Sequence, residues 1–122
     1  MKLIISSSEL LKGIMAVAKA IPAKSALPIL ENFLFDLKGN ILEITASDTE
    51  LTLRTQIEVE STTEEGRIAV PAKHMMDLLK ELPDQPLTIN TSPINIKFVL
   101  VFDLFYLIPT PFPILNKKTA II

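Results

Sequence analysis

Two rhythms of hydrophobic and polar positions run along this chain, and they occur in the same order twice. Lys2 to Ser6 reads as a short strand. Leu10, Ile14, Val17 and Ile21 then recur at helical spacing. That spacing predicts a helix capped by Ser7 or Ser8, helped by Glu9 in its first turn and continuing to about Ala20. Pro22 forbids continuation, and a loop from Ala23 to Pro28 follows. Phe33, Phe35 and Leu37 alternate with Leu34, Asp36 and Lys38, and Gly39-Asn40 is a two-residue hairpin signal. Leu42, Ile44 and Ala46 alternate with Glu43, Thr45 and Ser47 on the returning strand. Beyond Asp48-Thr49, Leu51, Leu53, Thr55, Ile57 and Val59 alternate with polar residues in the same way. Each strand has one wet and one dry face, as an antiparallel sheet covered on one side requires.

A polar stretch from Ser61 to Gly66 separates this unit from a second. Arg67 to Val70 reads as a strand, and Pro71 suits the first turn of a helix. Ala72 to Leu82 carries Met75, Leu78, Leu79 and Leu82 on one side, and Pro83 stops it. Leu87 and Ile89 alternate with Thr88 and Asn90; Ile94 and Ile96 alternate with Asn95 and Lys97. A shift of 64 residues lays Leu11 on Met75, Ile14 on Leu78 and Met15 on Leu79. The expected fold is α+β: a duplicated β-α-β-β-β unit, two helices on antiparallel sheets. The copies span about residues 1–60 and 66–97, and the second is expected to be incomplete because its pattern fades near residue 98.

Composition sharpens that border. Between Phe98 and Leu115, 13 of 18 residues are apolar and only Asp103 is charged. Pro109, Pro111 and Pro113 break this stretch, so it does not read as a membrane anchor, which needs about 20 apolar residues. Residues 98–122 are therefore expected to be a divergent apolar tail, in which Phe98 to Ile108 can pair as an edge strand. The whole chain of 122 residues is 48% hydrophobic with a formal charge of −2, enough apolar content for one real core. With no cysteine, one histidine and three glycines, disulfide scaffolds, thiolate chemistry and Gly-rich phosphate loops are excluded. The opening apolar run is too short for a signal peptide, which points to the cytoplasm.

Candidate chemistry is then mostly electrostatic. Lys12 and Lys19 lie seven residues apart, nearly opposite the apolar stripe of the first helix, and Lys73 and Lys80 repeat the spacing on the second. Such lysines serve either as a solvated face or as ammonium groups for a polyanion, since phosphates need positive charge and not base-edge geometry. Residues 41–66 hold seven acids against one arginine; facing away from the helices, they would give the molecule an acidic back. Asp48 with Glu50, and Glu64 with Glu65, are the carboxylate pairs a metal would need, but turn formation and solubility explain both. Helix capping explains Ser6-Ser7-Ser8 better than nucleophilic chemistry does, and His74 reads as a helix-flank residue. No catalytic residue, metal ligand or cofactor site is expected.

Several segments together resemble the bacterial DNA polymerase III β subunit, the replicative sliding-clamp family. They are Ser7-Ser8-Glu9-Leu10-Leu11-Lys12, Leu27-Pro28-Ile29-Leu30-Glu31-Asn32-Phe33, Thr45-Ala46-Ser47-Asp48, Ile68-Ala69-Val70-Pro71-Ala72-Lys73, and Leu78-Leu79-Lys80-Glu81-Leu82-Pro83. The resemblance covers roughly residues 1–97 and implies the first of three domains in a clamp protomer. It implies two helices lining a hole, with sheets as the outer wall. It also implies a head-to-tail homodimer closed around double-stranded DNA, and a non-catalytic tether for the polymerase III holoenzyme that a clamp loader places. Lys24 and Lys73 match family positions that touch DNA; Lys12, Lys19 and Lys80 are added from helix geometry. The departure at Phe98 reads as a shifted reading frame or a truncated gene. The alternative is a folded remnant acting as a protein-interaction scaffold.

Overall fold

The computed structural model describes residues 1–22, 28–48, 50–61, 65–92, 95–99 and 105–109. Strand β1 (Lys2–Ser6) runs directly into helix α1 (Ser7–Val17), which tightens into a 3-10 turn over Ala18–Ala20. The expected helix thus ends where Pro22 requires, with its last turn wound more tightly. Its cap is Ser6, not Ser7 or Ser8. Ser6 Oγ accepts from the Glu9 backbone N–H at 3.1 Å, the Ser-x-x-Glu spacing of a capping box.

Ser7 has a different task. It is buried, its N–H donates to the Gln85 carbonyl at 2.8 Å, and its hydroxyl accepts from the Gln85 N–H at 3.0 Å. The same hydroxyl donates to the Pro83 carbonyl at 3.2 Å. One side chain therefore ties the start of the first helix to the chain leaving the second.

A 3-10 turn over Pro28–Glu31 leads into the meander β2 (Asn32–Lys38), β3 (Ile41–Ser47) and β4 (Thr52–Glu58). The hairpin at Gly39-Asn40 holds as expected, with Gly39 at φ +59, where a Cβ would be strained. The short β5 (Glu60–Ser61) precedes β6 (Gly66–Pro71), α2 (Ala72–Glu81), β7 (Pro86–Thr91), β8 (Asn95–Val99) and β9 (Phe105–Pro109). Pro71 closes β6 as the N-cap of α2, one position earlier than its expected place inside the first turn.

The two units exchange their first strands. One sheet has the order β4-β3-β2-β6, so the first meander takes its fourth strand from the second unit. The other has the order β5-β1-β7-β8-β9, so the second meander takes β1 from the first. Registers repeat in kind: Leu3 faces Ile89 and Ile5 faces Leu87, as Ile68 faces Phe35 and Val70 faces Phe33. All eight of these side chains belong to one buried cluster, which also takes Leu10, Ile14, Met75 and Leu79 from the helices.

Burial corrects the expected offset between the helices. Ser7, Leu10 and Ile14 are buried in α1; Ala72, Met75 and Leu79 are buried in α2. These pair at an offset of 65, whereas the offset of 64 sets buried Leu79 against exposed Met15. Runs of similar letters (Ile14-Met15 over Leu78-Leu79) suggested 64; the face turned to the sheet decides for 65.

The second unit is also more nearly whole than its fading pattern suggested. β8 continues the alternation past residue 97, with Ile96 and Phe98 both in the core. β9 then pairs with β8 antiparallel, Tyr106 opposite Phe98 and Ile108 opposite Ile96, as the last strand of its sheet among the described residues. The unit is therefore not missing an element; its third strand has five residues against seven in β4. The edge strand expected within Phe98 to Ile108 is thus two strands, the end of β8 and β9.

Replacing Ser7 by Ala removes the acceptor of the Gln85 N–H and leaves the Pro83 carbonyl with Gln85 Nε2 at 3.3 Å as its remaining donor. Urea denaturation is expected to show a loss of about 1–3 kcal/mol. A change below a few tenths would show that this tie contributes nothing.

Candidate nucleic-acid interface

Helices α1 and α2 touch each other, and α1 rests on β3 and β4. The approach of α1 is close because Gly13 has no side chain. A Cβ there would meet Ile57, with Cγ1 at 3.2 Å, and would stand 3.6 Å from Ile44 Cδ1. With Leu10, Ile14 and Val17 turned inward, Lys12 is left on the exposed arc of α1, and Lys19 is exposed in the 3-10 turn that follows, past the end of the α-helix whose spacing placed it. Met15, 46% exposed, stands on the same arc. On α2, Met75 and Leu79 point inward and Lys73 and Lys80 are exposed, with Asp77 between them. Four of the five expected lysines are thus exposed on two neighbouring helices and the turn that ends the first. Lys24 lies outside the described residues. Met15 and Asp77 were missed as neighbours of the lysines, although stepping 100° per residue from the apolar stripe places both there.

The N-termini of the two helices differ in a way that bears on Lys73. In α1 the positive end of the helix dipole is balanced by the Ser6 cap and by Glu9. In α2 the N-cap is Pro71, which offers no side-chain hydrogen bond, and no acid lies in the first turn. Lys73 occupies that turn instead, where a cation is locally unfavourable. The position adds positive potential on the exposed side of the domain at a cost to helix stability.

The acidic back expected from residues 41–66 does not form as one face. Glu43 lies 3.9 Å from Arg54 Nε and accepts from Gln56 Nε2 at 3.2 Å. Glu58 accepts from Asn40 Nδ2 at 3.2 Å, and Glu65 accepts from the Gly39 N–H at 2.7 Å. Glu60 belongs to the other sheet, and Glu64 lies outside the described residues. On the outer face of the β4-β3-β2-β6 sheet, Asp36, Glu43 and Glu58 are matched by Lys38, Arg54 and Arg67, with Arg67 Nε 3.4 Å from Asp36. That face is mixed in sign. The counting failed because consecutive acids were assigned to one surface while the chain distributes them among two sheets and two turns.

Asp48 forms a turn. Its Oδ1 accepts from the Glu50 and Leu51 N–H groups, each at 2.7 Å, and these two bonds hold its carboxyl below the ordinary value of 3.8. The carboxylate considered for a metal pair with Glu50 is thus engaged by backbone donors. Among the described residues no group of three His, Cys, Asp or Glu side chains is placed to hold a metal ion. His74 is exposed on the flank of α2. No helix among the described residues is long and apolar enough to cross a membrane.

A duplicated unit with two adjoining helices on antiparallel sheets is the arrangement the sequence resemblance implied; the exchange of first strands is added by the structure. The family model described as "DNA polymerase III beta subunit, N-terminal domain" matches residues 1–102. The chain belongs to that family. The family match passes residue 97, as β8 does. The beta sliding clamp of Vibrio harveyi is 37% identical over 84 residues, which cover 69% of this chain and 58% of that protein. The Vibrio cholerae beta sliding clamp is also 37% identical over 84 residues, but these are 23% of its length. The crystal structure of DNA polymerase III subunit beta from Pseudomonas aeruginosa superposes with a TM-score of 0.80 at 29% identity, over 95% of this chain and 32% of that one. The chain thus spans roughly a third of that solved family member.

Two outcomes are expected at this surface. Lys73→Glu should stabilise the folded chain by about 0.3–1 kcal/mol in urea melts at low salt, by complementing the dipole of α2; destabilisation would show that Lys73 is there for the fold. Asp48 should titrate below 3.8 in carboxyl-detected NMR. Because its folded pKa is depressed, its contribution to stability is present above the unfolded value and is lost as pH falls through the folded one. Asp48→Asn should abolish that acid-side dependence.

Proposed function

We propose that this chain is the DNA-facing first domain of a sliding clamp: a module that holds duplex DNA without sequence preference and performs no chemistry on it. The observation that carries this reading is the exposure of Lys12, Lys73 and Lys80 on two touching helices and of Lys19 in the 3-10 turn that ends the first, with Lys73 in an uncapped first turn. Lysines on long flexible stems meet phosphates as point charges, and phosphate contact fixes a protein on DNA without reading bases. A tether that must travel along DNA needs that kind of contact. Lys24 joins this set through its match to a family position.

In the same reading the protein acts in the cytoplasm. Closure as a head-to-tail dimer and the tethering of polymerase III and the clamp loader draw on the parts of its relatives that this chain does not span. Membership of the family, and the engagement of the Asp48 carboxylate by two backbone N–H groups, favour a processivity role over a hydrolase built around Asp48 and Glu50.

The test is fluorescence anisotropy with labelled duplexes of unrelated sequence across a salt series. Binding is expected to be weak, equal among sequences, and to fall linearly in log K against log salt. Each lysine-to-alanine change at Lys12, Lys19, Lys24, Lys73 or Lys80 that removes a phosphate contact should reduce that slope by about 0.9. A slope unchanged in the variant lacking all five overturns the proposal.

A further inference from the structure

The exposed arc of α2 is not uniformly basic: it carries two acids, Asp77 and Glu81, and Asp77 is the one that lies between the lysines. Asp77 follows Lys73 by one turn and precedes Lys80 by one turn, and all three are exposed. Glu81 lies farther round the helix, towards the flank that carries His74. On α1 the corresponding arc carries Lys12, Met15 and Ala16, with Lys19 in the turn that follows, Glu9 at its margin and no acid between the lysines. The two helices therefore offer a phosphate chain different fields. A phosphate close to both α2 lysines is also close to the Asp77 carboxylate, whereas one near the α1 lysines has no carboxylate between them.

We propose that Asp77 sets the strength of the DNA contact, a built-in repulsion that weakens the hold of α2 on phosphates and keeps the contact loose enough to move. This inference rests on the DNA-binding reading above. Its physics is that of a like charge several ångströms from a phosphate in water: too weak to prevent binding, strong enough to shorten it. Such a repulsion acts at every position along the duplex alike, because the phosphate repeat carries no sequence information. Asp77 is exposed on the arc opposite the buried Met75 and Leu79 and is not needed for the core; its spacing from Lys73 and Lys80 also suits ion pairing along the helix, which the urea midpoints below measure.

The experiment measures the full chain on a labelled random-sequence duplex, with Asp77→Asn, Asp77→Lys, and Glu43→Gln as a control. The control makes the same charge change on the outer sheet face. At low salt Asp77→Asn should bind about threefold more tightly and Asp77→Lys about tenfold, with gains that shrink as screening rises. Glu43→Gln should match neither. In a Lys73→Ala, Lys80→Ala background the Asp77→Asn gain should fall, because α2 then holds the phosphates less closely. Urea midpoints measured alongside separate binding from stability. If the lysine variants weaken binding while both Asp77 variants match the parent, this inference is overturned and the DNA reading stands. If the Asp77 gains equal that of Glu43→Gln, the effect is one of net charge and the inference is likewise overturned. If the lysine variants leave binding unchanged, the DNA reading fails first and this inference with it.

Discussion

Neither half of this molecule can complete its own sheet. The first meander needs β6 from the second unit as its fourth strand, and the second meander needs β1 from the first. That reciprocal exchange is the constraint from which the rest follows. It places the first strand of each unit against the meander of the other, so the helix that follows each strand also starts from the partner unit's side. Ser7 marks the junction, with its backbone and hydroxyl both bonded to the stretch between Pro83 and Gln85. A buried hydroxyl with donors and acceptors satisfied on a distant segment is a strong determinant of register, because any slip strands polar groups away from water.

The exchange also governs where charge can be shown. With both helices set beside each other and their apolar stripes turned inward, only the arcs holding Lys12, Lys73 and Lys80, and the turn holding Lys19, remain for solvent. The opposite side of the β4-β3-β2-β6 sheet carries balanced charges, several of them paired across neighbouring strands. A chain of net negative charge can then offer positive groups locally without an opposing acidic wall. What matters for a phosphate is the field within about 8–10 Å, beyond which salt screens the total.

Much of this was legible in the residues, and the parts that were not share a cause. The alternations in Phe33 to Leu37 and Leu42 to Ala46, the Gly39-Asn40 turn, and the prolines that stop both helices are local signals, and each produced the expected element. The lysine arcs of α1 and α2 were equally local, a matter of helical angle. What local reading missed depended on partners remote in sequence. The helix offset was misjudged by one because only the sheet beneath shows which face is inside. The acids of residues 41–66 were pooled because charge counting ignores which sheet a strand joins. Ser6 and Ser7 divided the roles of cap and tie in a way that three adjacent serines conceal, since the tie's partner lies at Gln85. An edge strand was expected somewhere in Phe98 to Ile108, but that apolar run gives no period to separate the end of β8 from β9.

The exchanged strands set an order for synthesis on the ribosome. When residues 1–60 have emerged, β2 has no neighbour on its β6 side and β1 has no β7 to pair with. The nascent chain must keep apolar Leu3, Ile5, Phe33 and Phe35 out of premature contacts until its later half appears. Pairings between residues so distant along the polymer are slow to close and vulnerable to aggregation while they wait. The meander β2-β3-β4 and α1 can pack within the first sixty residues, but the open edge of β2 and the whole of β1 wait for strands made later.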